Sequence, residues 1–84
     1  MSNIAVIGAG LMGHGIAYIF AQAGFKVSLH DAHAPTLESA PKRIESLFEL
    51  LGTDKIRLAN VEYCSDFAKA VASADFVFEA VAEK

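Results

Sequence analysis

Gly8-Ala9-Gly10-Leu11-Met12-Gly13 sets three glycines at the spacing G-x-G-x-x-G. A short apolar run, N-I-A-V-I-G at Asn3–Gly8, leads into it, and a run of helical period follows. In that setting each glycine has a physical task. Gly8 permits a tight turn out of a strand. Gly10 lets the backbone approach a pyrophosphate where a Cβ would collide, and Gly13 lets the helix pack closely on the strand. The helix start adds unpaired N–H groups and a partial positive charge. Asp31 stands 18 residues after Gly13, at the end of a second strand-like run. A carboxylate there accepts hydrogen bonds from the adenine ribose hydroxyls and repels a 2′-phosphate. Positions 32–34 carry no Lys or Arg to welcome such a phosphate. NAD is favoured over NADP. FAD stays open, because its fold begins with the same loop. An S-adenosylmethionine site suits the three-glycine spacing less well. The simpler readings are a glycine turn that binds nothing, and an Asp31 that merely caps the next helix.

Other reactive side chains give weaker patterns. Gly8 and Gly13 have the spacing of a Walker-type phosphate loop, but His14 stands where that loop needs lysine. His14 reads as a helix residue beside the loop, with no partner for chemistry. His30 and His33 flank Asp31 as H-D-A-H, yet His30 should face away from Asp31 on a strand, and a metal site lacks ligands. Cys64 reads as a small core residue. Met12 is compatible with a place beside the nicotinamide or with core packing. Glu79 and Glu83 close the last strand-like run, and Glu83, past its end, is the better placed to meet a ligand beyond the strand ends.

The elements that must position these residues follow from periodicity. Asn3–Gly8 is apolar throughout and suits a strand buried on both faces. Met12, Ile16, Ile19, Phe20 and Ala23 recur at helical spacing over 11–23, and Gly24 stops that helix. K-V-S-L-H-D at Lys26–Asp31 is the second strand, completing a βαβ unit. Leu37, Ala40, Ile44, Leu47, Phe48 and Leu51 line a second amphipathic helix, with Glu38, Lys42, Arg43, Glu45 and Glu49 on its solvated face. Pro35 suits its first turn, whereas Pro41 predicts a kink near 37–40 or a start near Pro41. Gly52 ends it, and 53–60 is a polar connection without a period. Val61–Cys64 is a short strand. Ser65 caps a third helix with Phe67, Ala70, Val71 and Ala74 inward. Asp75 opens the apolar strand D-F-V-F-E-A-V.

The chain of 84 residues has room for one small domain. It is 54% hydrophobic and 20% charged, which suits a buried core rather than disorder. A net charge of -3 without a basic run argues against a nucleic-acid surface. One cysteine excludes an intrachain disulfide. No positive charge precedes Lys26, so the N-terminus makes a poor signal peptide, and polar or glycine positions interrupt every stretch of membrane-spanning length. A cytoplasmic location is expected.

Three segments together resemble one family: V-I-G-A-G-L-M-G-H-G-I-A at 6–17, H-D at 30–31, and A-D-F-V-F-E-A-V-A-E at 74–83. They are similar to the NAD-binding half of the 3-hydroxyacyl-CoA dehydrogenases, including the 3-hydroxybutyryl-CoA dehydrogenases, and the resemblance covers the whole chain. The glycine loop is common to many dehydrogenases. The E-A-V-x-E ending coupled to G-L-M-G-x-G-I-A is the specific part. The resemblance implies that Gly8, Gly10 and Gly13, with Leu11 and Met12 between them, form the cofactor loop. It implies that Asp31 holds the adenine ribose and that Ala80 and Glu83 face the nicotinamide riboside. It implies hydride transfer between NAD and the 3-hydroxyl of a fatty acyl-CoA. The family's base, a histidine oriented by a glutamate with a serine and an asparagine nearby, matches nothing up to Lys84, and neither His14, His30 nor His33 sits in its motif. The family's C-terminal helical domain is likewise expected outside this chain. Its helical hairpin between the second helix and third strand, which helps hold acyl-CoA, is replaced here by the short segment 52–60, so substrate contacts there do not carry over.

The resulting expectation is an α/β fold: residues 1–84 as the first half of a Rossmann-type doubly wound parallel sheet, β-α-β-α-β-α-β with strand order 3-2-1-4. The chain would be the N-terminal fragment of an NAD-binding domain, inert by itself. The competing reading is a stand-alone dinucleotide-binding or interaction module without catalysis. The fourth strand, apolar on successive positions yet at the end of that order, predicts a homo-oligomer formed edge to edge or by exchange of terminal elements.

Overall fold

The computed structural model describes residues 2–80, apart from the side chain of Leu11. Strands β1 (Asn3–Ile7), β2 (Lys26–His30), β3 (Val61–Cys64) and β4 (Phe76–Glu79) form one 4-stranded sheet in the order β3-β2-β1-β4. Every pair is parallel. Helices α1 (Leu11–Gln22), α2 (Ala34–Leu51) and α3 (Phe67–Ala72) make the crossovers. The expected topology is the observed one. No helix among the described residues is long and apolar enough to cross a membrane.

Register explains where the core lies. Ile4 is level with Val27 and Phe76, and Val27 with Val61; Val6 is level with Leu29 and Phe78, and Leu29 with Tyr63. Level residues in a sheet share a face, so two apolar rows cross one side of it. Ala17 and Ala21 of α1, and Leu37, Ala40, Ile44 and Phe48 of α2, close over those rows. The other face carries Ala5, Ser28 and His30, with Ala70 of the short α3 buried and Phe67 edge-on to His30 at 5.7 Å. The apolar core is therefore concentrated on one side of the sheet.

Several expectations need correction. The face of α1 turned to the sheet is the small-residue row Gly13, Ala17 and Ala21, whereas Met12, Ile19 and Ala23 are exposed and Ile16 and Phe20 only half-buried. The helix lies so close to β1 that large side chains fit only on its flanks. Helix α2 begins at Ala34 with Pro35 in its first turn, as expected, and the alternative start near Pro41 is not taken, because the helix runs through Pro41. Pro41 lacks the N–H that would bond the Leu37 carbonyl. Burial of Leu37, Ala40, Ile44 and Phe48 around it outweighs that loss. Leu51, predicted inward, is exposed, and Gly52 ends the helix in the left-handed region at φ 68°. The segment 53–60 contains a 3-10 helix, Lys55–Asn60, whose entry Asp54 caps through the Ile56 N–H at 3.0 Å. Asn60 Nδ2 donates to the Ala21 carbonyl at 3.0 Å and ties this segment to the end of α1.

Another correction concerns α3. Its cap is Asp66, not Ser65: the Asp66 carboxylate accepts from the N–H groups of Ala68 and Lys69. Phe67, the first residue of the helix, stays exposed although its ring lies edge-on to His30, and Ala70 is the buried residue. Cys64 also departs from expectation. It is half-buried at the end of β3, outside the core, and its Sγ–H donates to the Asp66 carbonyl at 3.3 Å.

Candidate dinucleotide site at the carboxyl end of the sheet

The site begins where β1 ends. Gly8 takes φ 107°, a conformation that side chains disfavour, and so turns the chain out of the sheet. Its N–H donates to the His30 carbonyl at 2.6 Å, continuing the ladder with β2. Ala80 N–H donates to the Ile7 carbonyl at 2.7 Å, continuing the ladder with β4. The three strand ends, β2, β1 and β4, thus converge on the glycine loop.

The three glycines are not equivalent. A Cβ on Gly13 would sit 1.5 Å from the Gly8 carbonyl oxygen and 3.6 Å from the Ala80 Cβ. Helix and turn touch backbone to backbone there. A Cβ on Gly10 would meet nothing of the protein within 4 Å. Gly10 is needed for no internal packing, which leaves it as the position where a ligand can approach main chain. It is also the N-cap of α1, with no side-chain cap and no acidic residue in the first turn. The first N–H groups of the helix keep their positive end unneutralised by the helix itself.

Asp31 lies against this loop. Its Oδ2 accepts from the Ala9 N–H at 2.8 Å and its Oδ1 from the His33 N–H at 2.7 Å. The helix-capping alternative fails, because the N-cap of α2 is His33, two residues on. Each carboxylate oxygen has a second lone-pair direction for a hydroxyl donor. The carboxylate thus stands at the end of β2, next to the loop at the end of β1. That is the crevice position where an adenine ribose is held in sheets of this order.

The other predicted residues divide. Ala80 is brought to Gly13 as stated. Met12 is 68% exposed, so its core-packing alternative falls away. Glu79 is exposed at the end of β4. Glu83, and the side chain of Leu11, lie outside the described residues. His30 is buried on the α3 face, with Nδ1 2.9 Å from the Cys64 carbonyl. His33 lies beside Thr36, and no cluster of three or more metal-ligating side chains occurs among the described residues. Two features escaped sequence reasoning. The Ala9 amide fastens Asp31 to the loop. The His14 ring, 7% exposed, has its Nδ1 2.7 Å from the Gly10 carbonyl. The one signal for the second was a donor side chain four residues after Gly10. A separate cavity of about 270 Å³ lies at the amino end of the strands, among Asn3, Lys26, Asn60, Glu62 and Ser73, and shares no residue with this site.

Comparison with known proteins agrees with the geometry. The profile of the family "3-hydroxyacyl-CoA dehydrogenase, NAD binding domain" matches residues 3–84. A probable 3-hydroxyacyl-CoA dehydrogenase of Caenorhabditis elegans is 36% identical over 93 residues, covering 96% of this chain and 31% of that protein. Among solved structures, a diketoreductase superposes with a TM-score of 0.90 at 34% identity, over 100% of this chain and 33% of its own. The 3-hydroxybutyryl-CoA dehydrogenase of Escherichia coli K12 gives 0.81 at 33% identity, over 99% and 19%. The chain therefore spans about a third or less of the relatives it matches.

Proposed function

The chain belongs to the 3-hydroxyacyl-CoA dehydrogenase family as its NAD-binding domain, and on that footing we propose that it is the cofactor-holding part of an oxidoreductase acting on the 3-hydroxyl of a fatty acyl-CoA. The observation that carries the reading is the contrast within the glycine loop: Gly13 is closed against Gly8 while Gly10 is open to a ligand. Bound NAD would supply the hydride acceptor. The chain's own residues bind and orient. The backbone from Gly8 to Gly13 receives the pyrophosphate, Asp31 the adenine ribose, and Ala80 lines the nicotinamide side, with Glu83 assigned there by the family resemblance alone. Asp31 also sets cofactor choice, because a second phosphate on that ribose would meet a carboxylate with no cation at positions 32–34.

Binding is not turnover. Hydride transfer from an alcohol requires a base for the hydroxyl proton, and the residues that resemblance assigns to that task have no counterpart here. The 84-residue chain is expected to bind NAD weakly and to leave acetoacetyl-CoA and NADH unreacted. Calorimetric titration with NAD and NADP is the test. NAD should bind more tightly, and Asp31→Ala should narrow the difference. Equal or tighter binding of NADP by the unmutated chain would refute the assignment of Asp31. Sustained NADH oxidation by the pure chain would refute its catalytic inertness.

A further inference from the structure

We propose that His14 is a positioning residue that holds the Gly10–Leu11 peptide in the orientation that receives the pyrophosphate, an inference that rests on the NAD-binding reading. The Gly10 carbonyl accepts twice, from the His14 backbone N–H at 3.0 Å and from the His14 ring at Nδ1, 2.7 Å away. A carbonyl oxygen only accepts, so Nδ1 carries the proton and donates. The ring is 7% exposed, folded back against the loop.

The consequence follows from the peptide bond. The unit is planar and trans, so fixing the direction of the Gly10 C=O fixes the Leu11 N–H in the opposite direction. That N–H is the first of α1 and has no partner within the helix. It points out of the helix end, where an anion would lie. The problem His14 meets is specific to this cap. Gly10 is the N-cap, it lacks a side chain to bond the helix, and glycine is the most conformationally free residue. A ring one turn on supplies the restraint that the cap cannot. The second hydrogen bond also polarises the peptide, which strengthens its N–H as a donor on the far side.

Two substitutions in the full chain separate the donor from the volume. His14→Phe keeps a ring and removes the donor. His14→Asn keeps a donor, since Asn Nδ2, like His Nδ1, is bonded directly to Cγ, and removes most of the ring. Amide ¹⁵N relaxation on the ligand-free protein reads the restraint, and calorimetry reads NAD affinity. His14→Phe should loosen the Gly10 and Leu11 amides and weaken NAD binding roughly three- to tenfold, the usual effect of one lost hydrogen bond. His14→Asn should leave both within about twofold. Unchanged order at Gly10 and Leu11 in His14→Phe would overturn the proposal, as would a His14→Asn variant that fails as badly, since ring volume would then be the cause. No NAD binding by the unmutated chain would instead overturn the functional reading, and the relaxation data would still decide whether His14 holds the loop.

Discussion

Replacing Gly13 with alanine should damage the fold, while the same change at Gly10 should damage only binding. The added methyl at Gly13 would lie 1.5 Å from the Gly8 carbonyl oxygen and 2.6 Å from its carbon, whereas real Cβ contacts essentially never fall below 3.0 Å. The contact must therefore open by about 1.5 Å. The obstacle is main chain, held by the Gly8 N–H bond to His30 on one side and by Ala17 and Ala21 packed on the sheet on the other. Overpacking a core costs ~1–3 kcal/mol where side chains can yield, so ~3 kcal/mol is a fair figure where backbone must move. Alanine returns up to ~1 kcal/mol in helix propensity. The net loss is at least ~2 kcal/mol, against a total stability of ~4–13 kcal/mol for 84 residues. A domain of this size should melt ~8–16 °C lower.

Gly10→Ala is the control. Gly10 has φ -71° and ψ -158°, accessible to alanine, and open space around it. The poorer N-cap and the less flexible unfolded chain act in opposite directions, so stability should stay within ~1 kcal/mol. NAD affinity should nonetheless fall by roughly tenfold or more, because the methyl occupies the approach to the pyrophosphate. Thermal unfolding followed by circular dichroism, with calorimetry on both variants, reads the two effects separately. If Gly13→Ala melts within ~2 °C of the parent chain, or Gly10→Ala falls as far as Gly13→Ala, the division of labour between the glycines is wrong.

Other consequences are testable with the same methods. Burial pushes the Tyr63 phenol above its ordinary value of 10.0. A proton held more tightly in the folded state gives a contribution that is full below pH 10.0 and is lost as pH rises through the higher folded value; Tyr63→Phe should flatten that alkaline decline in denaturant unfolding. Asp66→Ala should remove the cap of α3 at a cost of ~1 kcal/mol, whereas Ser65→Ala should be nearly neutral; the opposite order in chemical denaturation would restore Ser65 as the cap. Phe76, Val77 and Phe78 are all exposed on β4, whose described residues pair with β1 alone. An apolar edge of that kind is a template for pairing with another chain, so sedimentation of the 84-residue polypeptide is expected to show self-association across the micromolar range, and Val77→Lys to abolish it. A well-folded monomer at high concentration would rule that out.

The primary structure alone indicated the alternation of strands and helices, the glycine turn after β1 and a carboxylate at the end of β2; the sheet order followed from the Rossmann pattern that these features match. The local features leave few alternatives: glycine where main chain must turn, apolar runs too short for helices, and an acidic residue closing a strand. Glycine punctuation also placed the ends of α1 and α2 within a residue or two. Tertiary structure decided what depends on distance between elements. The face of α1 turned inward was one such case: with Gly13 against Gly8, only alanines fit beneath the helix, and the larger Met12 and Ile19 were left outside. The passage of α2 through Pro41 was another, since one lost hydrogen bond is outweighed by burial that no periodicity measures. The hold of Asp31 on the Ala9 amide, and of His14 on the Gly10 carbonyl, belongs to the same class. A hydrogen bond depends on where two atoms stand after packing, and sequence spacing fixes only which atoms are available to make it.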